Sequence, residues 1–75
     1  MENKLLQIFN TVLLNRGREM INKLIPDHHL RNDIGFDSLD LAELTVRIEA
    51  EYEIDIFEKG IINTVGEIFE ILDHK

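Results

Sequence analysis

The chain has no cysteine, no tryptophan, a single proline and four glycines in 75 residues. Without cysteine there is no disulfide, no thiolate metal site and no cysteine nucleophile. No apolar run is long enough to span a bilayer. The first residues lack the apolar stretch and cleavage signal of a secretory leader, so a cytoplasmic location is expected. Positive charge is scarce. Eight Lys and Arg face fifteen Asp and Glu, a formal net charge of −7. Residues 1–31 hold five basic and three acidic side chains, and residues 32–75 hold three and twelve. So acidic a second half argues against nucleic acid as a partner. It suits partner proteins with basic faces, met quickly and with strong salt dependence. A solvated, solubilising surface accounts for many of the same charges.

What is present suffices for one small folded domain. The hydrophobic share is 44%, ordinary for a globular chain. A chain this short has room for one modest core and no deep enclosed active site. Residues 3–15 read as a first helix, with Leu5, Ile8, Phe9, Val12 and Leu13 at helical spacing and Leu6 and Leu14 widening the stripe. Glu2 and Arg16 suit its dipole, and Gly17 is its stop. Residues 18–37 form a long connection. Met20, Ile21, Leu24, Ile25 and Leu30 are expected to pin it to the core, with a helical turn over Glu19 to Leu24 ended by Pro26. Residues 53–63 break the helical pattern. Glu53 to Phe57 alternates like a strand with nothing to pair with, and Glu58 to Ile62 reads as a single helical turn weakened by Gly60. Residues 64–73 form the last helix, opened by a Thr64–Glu67 capping box. The expected fold is all-α: a small four-helix bundle of three main helices and one short third helix.

The most informative stretch runs from Asp33 to Leu44, Asp-Ile-Gly-Phe-Asp-Ser-Leu-Asp-Leu-Ala-Glu-Leu. Gly35 permits a tight turn. Asp37 or Ser38 then caps a helix over residues 38–52, with Asp40 in the place of a capping-box acid. Leu41, Leu44 and Ile48 form one apolar row and Leu39, Ala42 and Val46 another. Tyr52 closes the stripe. Asp40, Glu43, Arg47 and Glu51 fall on the outer side, with Glu43 and Arg47 an i,i+4 pair. A serine hydroxyl thus stands at a helix start, where the local field favours a phosphate group. Taken alone, Ser38 reads as a cap and nothing more.

Gly-x-Asp-Ser-Leu-Asp-x-x-Glu-Leu, here Gly35 to Leu44, resembles the attachment site of acyl carrier proteins. The resemblance extends from about Ile25 to Leu72, and it is tighter after Leu30. It implies that Ser38 carries a covalent 4′-phosphopantetheine arm, installed from coenzyme A by a separate Mg²⁺-dependent phosphopantetheinyl transferase. It implies a monomeric, non-enzymatic carrier that serves acyl-transferring or synthase enzymes in fatty-acid, lipid or polyketide synthesis. Asp37, Asp40, Glu43 and Glu49 are then candidates for contact with basic partner faces. Val46 and Ile62 are candidates to line an acyl pocket between the second and third helices. As caps, ion-pair members and core residues, the same positions have ordinary structural readings. The region of the third helix is about two residues shorter and less acidic than in that family.

Two competitors remain. An aminoacyl or peptidyl carrier also uses a phosphopantetheinyl serine, although Asp37 and the strong acidity favour the acyl type. An unmodified acidic helical adaptor predicts that Ser38→Ala is harmless. Ser38 as a nucleophile with His28 or His29 and Asp33 lacks the Gly-x-Ser-x-Gly elbow. Asp27, His28 and His29 make no metal site by spacing, and Asp33, Asp37 and Asp40 do not follow the calcium-loop pattern.

Overall fold

Apolar residues at helical spacing build three helices: α1, Glu2–Asn15; α2, Ser38–Tyr52; and α3, Val65–Asp73. The computed structural model describes residues 2–58 and 60–73; the side chain of Glu2, expected to complement the α1 dipole, lies outside the described residues. Among the described residues there is no strand, only an isolated bridge between His29 and Thr64. The radius of gyration is 11.1 Å, as expected of a compact chain of this length.

The helix α1 ends where Gly17 was expected to stop it. Arg18 N–H donates to the Leu13 carbonyl at 2.9 Å and Gly17 N–H to that of Leu14 at 3.0 Å. This paired closure satisfies carbonyls that a helix end leaves open. Its neighbour α2 runs antiparallel to it. Lys4, early in α1, pairs with Glu51, late in α2, while Asn15 at the other end of α1 reaches Glu43 at 2.9 Å. Between them Leu5, Phe9, Val12, Leu13, Leu44 and Ile48 are buried, and Val65, Ile68 and Leu72 of α3 complete the core.

The long connection is fastened to the core by its backbone. Asn10 takes both main-chain groups of Ile21, its Oδ1 accepting from the amide at 2.8 Å and its Nδ2 donating to the carbonyl at 3.1 Å. With this clamp in place, the helical turn expected over Glu19 to Leu24 does not form. Met20, expected in the core, is exposed. Further on, the carbonyls of Pro26 and His28 accept from the first-turn amides of α3, Gly66 and Val65, and Leu30 N–H donates to Asn63. The expected capping box is present: Thr64 N–H donates to Glu67 Oε1 at 3.0 Å and Glu67 N–H to Thr64 Oγ1 at 3.3 Å.

Among the described residues three helices stand where four were expected. Of the turn expected over Glu58 to Ile62, Lys59 lies outside the described residues and the others are not helical. Gly60 has φ 137°, far from helical values. Two bonds, Glu58 N–H to the Asp55 carbonyl and Gly60 N–H to that of Phe57, both 3.2 Å, close isolated turns instead. The alternation at Glu53 to Phe57 is explained by burial: Ile56 enters the core and Ile54 packs beside it.

Candidate functional site

The loop before α2 is folded on itself. Asp33 and Ile34 N–H both donate to the His29 carbonyl, Phe36 N–H donates to Leu30, and Asp33 Oδ2 accepts from the His29 amide at 2.7 Å. Leu30, Ile34 and Phe36 point inward, and the ring of Phe36 meets that of Phe9 with centroids 5.6 Å apart. Gly35 turns the chain with φ 89°, in the region that suits glycine. Arg18 lies across this turn and donates to the Gly35 and Ile34 carbonyls.

Asp37 is the cap of α2. Its Oδ1 accepts from Asp40 N–H at 2.9 Å, and its own N–H donates to Asp40 Oδ2 at 3.0 Å. The box is reciprocal with aspartate as its acid. The Asp40 amide holds the Asp37 carboxyl below its ordinary 3.8; partial desolvation works against this, and the charge of Arg16 adds to it. Because Asp37 caps the helix, Ser38 does not. Ser38 is the first residue of α2, it is exposed, and its Oγ accepts from Arg31 Nη2 at 3.1 Å.

Asp40 was expected on the outer side, and the structure corrects that: it is only 3% exposed. Arg16 explains how a carboxylate can be buried there. Its Nη2 is 3.1 Å from Asp37 Oδ2 and its Nε 3.2 Å from Asp40 Oδ1. The second contact is an ion pair without hydrogen-bond geometry, so Asp40 Oδ1 is compensated by charge alone. Glu43 takes Asn15 Nδ2 at 2.9 Å and Arg47 Nε at 2.8 Å, and both contacts lower its pKa. Of the candidate partner-contact residues, Asp37 and Glu49 face solvent and Glu43 is partly covered.

The row Leu39, Ala42, Val46 is exposed, with Leu39 68% and Val46 65% accessible. Val46 therefore stands on the surface of α2, whereas Ile62 is buried in the core. A groove of about 320 Å³ lies elsewhere, between α1 and α2, walled by Ile8, Thr11, Ala50 and the Lys4–Glu51 pair. Among the described residues no group of three or more His, Asp or Glu is placed to hold a metal ion, and no helix is long and apolar enough to cross a membrane.

Sequence reasoning missed the arginines. Arg16 was assigned only to the helix dipole, and Arg18 and Arg31 to nothing. Only the excess of positive charge in the first 31 residues, facing an acidic remainder, signalled them. The exposed hydroxyl at the helix start fits a covalent phosphate ester: the oxygen is accessible, unused by the cap, and beside a cation. The protein-family model described as a phosphopantetheine attachment site matches residues 3–69. No solved structure matches the chain.

Proposed function

The chain belongs to the phosphopantetheine attachment-site family, whose domains bear a covalent 4′-phosphopantetheine, and from that premise we propose that it is an acyl carrier protein with Ser38 as the attachment residue. The observation that carries the assignment is the division of labour at the start of α2. Asp37 closes the helix, which leaves the Ser38 hydroxyl exposed and free for esterification. When bound, the arm supplies a thiol for acyl thioesters, a group this cysteine-free chain lacks. The chain's own part is to hold Ser38 on a rigid corner. The helix cap, the Arg16 bridge and the Phe36 anchor each fix one side of it. Tethering then raises the local concentration of the acyl group at each partner enzyme.

This reading makes the protein a carrier and not an enzyme. The neighbour of Ser38 Oγ is a guanidinium, which cannot take up a proton at physiological pH. The base that deprotonates Ser38 belongs to the transferase. Asp37 before the serine and the acidic second half favour acyl over aminoacyl or peptidyl cargo. Partner enzymes with basic faces meet Asp37, Glu43 and Glu49; Asp40 contributes through the cap, since its carboxylate is buried. The protein works as a single cytoplasmic, monomeric domain.

Labelling with a fluorescent coenzyme A derivative and a promiscuous transferase tests the site: wild type labels, and Ser38→Ala stays dark. Equal labelling of both would move the site elsewhere. Loading by acyltransferases, with no turnover by amino-acid-adenylating enzymes, is expected of the acyl type; the reverse pattern would make it an aminoacyl carrier.

A further inference from the structure

Three arginines gather around the serine loop, and two of them are already committed. Arg16 holds Asp37 and Asp40. Arg18 holds the Gly35 and Ile34 carbonyls. The helix end is committed too, because the Asp40 amide serves the Asp37 carboxylate. A negative charge placed on Ser38 Oγ would find the usual anion site of a helix start filled by another anion.

Arg31 is differently placed. Its guanidinium reaches Ser38 Oγ at 3.1 Å, its one side-chain hydrogen bond among the described residues. A guanidinium has five donors in a planar fork, and a hydroxyl uses one of them. The free oxygens of a phosphodiester on Oγ would lie two bonds, Oγ–P and P–O, beyond the atom Arg31 already touches. They would be stronger acceptors than the hydroxyl and could take two donors at once. We propose that Arg31 is the counter-ion of the Ser38 phosphodiester, holding it against the 29–36 loop and setting the direction in which the arm leaves the protein. This rests on the reading that Ser38 carries the arm. The acidic surroundings make the role useful: Asp37 would repel a phosphate, and its charge is only partly masked by Arg16.

The test compares wild type, Arg31→Gln and Arg31→Lys, each before and after loading from coenzyme A, with Arg47→Gln as a control for general surface charge. Intact mass first establishes loading. Loading raises the wild-type Tm by about 2–4 °C at low salt, the size expected of one exposed charge pair in a chain of this length, and high salt removes the rise. Arg31→Gln shows no rise, Arg31→Lys keeps part of it, and Arg47→Gln behaves as wild type. The ³¹P resonance of the loaded wild type differs from that of loaded Arg31→Gln, and the Arg31 side-chain N–H resonance moves on loading. Loaded proteins with the same ³¹P position and the same Tm rise with or without Arg31 would overturn the inference alone. A wild type that gains no mass would overturn the Ser38 reading and this one with it.

Discussion

Gly35→Ala tests how the serine loop is held. The residue has φ 89°. An L side chain in that left-handed region costs about 1–2 kcal/mol. A Cβ there would also fall 2.8 Å from Arg18 Nη1 and 2.9 Å from Arg18 Cζ. Those atoms end a flexible side chain, so the arginine swings away and the clash itself is cheap. What is lost is its pair of bonds to the Gly35 and Ile34 carbonyls, together worth about 1 kcal/mol at a half-exposed site. The sum is about 2–3 kcal/mol, a large share of the roughly 4–11 kcal/mol expected for 75 residues. It corresponds to a Tm lower by about 8–24 °C. The assay is a double-mutant cycle with Arg18→Ala, read by urea unfolding of the unloaded protein. In the Arg18→Ala background Gly35→Ala costs only the backbone part, about 1–2 kcal/mol, so the coupling is about 1 kcal/mol. Equal costs in both backgrounds would refute the link between Arg18 and the turn. A negligible cost in both would refute the left-handed turn itself.

Phe36→Ala removes a buried ring packed at a tilt against that of Phe9 and costs about 3–5 kcal/mol, so much of the chain should be unfolded at 37 °C by circular dichroism; a wild-type melting curve would contradict the anchor. Acid weakens the fold with a definite sign. The carboxyls of Asp37, Glu43 and Glu67 are all lowered in the folded state. Their stabilisation is present above the ordinary values of 3.8 for Asp and 4.5 for Glu and is lost as pH falls through the lower folded values. Urea midpoints should therefore fall below about pH 4.5, less steeply in Glu67→Gln; an unchanged slope in that variant would count against the Thr64–Glu67 box. Glu49→Gln should slow association with a basic-faced partner enzyme more at low salt than at high salt, whereas equal slowing at both would exclude an electrostatic role.

The parts of this fold that were legible in the sequence are those decided locally. The ends of α2, the Asp37–Asp40 box and the Thr64–Glu67 box depend on residues three apart, and they formed as the spacing indicated. What periodicity could not give was the width of the buried face. Leu44 and Ile48 on the first apolar row of α2 are buried in the core, whereas Leu39 and Val46 on the second are exposed. Nor could periodicity show that Glu58 to Ile62 would not be helical: among the described residues a hydrogen-bonded turn ending at Gly60, φ 137°, stands there. The burial of Asp40 was equally illegible, because its counter-charge, Arg16, arrives from 24 positions away on the closure of α1. Met20 is out of the core because Asn10 pins Ile21 instead, a side-chain clamp with no periodic signature. The pairing of Arg31 with Ser38 spans seven residues of irregular loop, and only the folded path from His29 to Phe36 brings the two together.

The central claim is that Ser38 bears the prosthetic group, and intact mass tests it most directly. Wild type and Ser38→Ala are each incubated with coenzyme A, Mg²⁺ and a promiscuous phosphopantetheinyl transferase, beside a known carrier as a positive control. The account predicts that wild type gains the mass of one phosphopantetheine and Ser38→Ala gains none while keeping the same circular dichroism spectrum. A folded wild type that gains nothing while the control is modified, or a Ser38→Ala variant that gains the same mass, would contradict it.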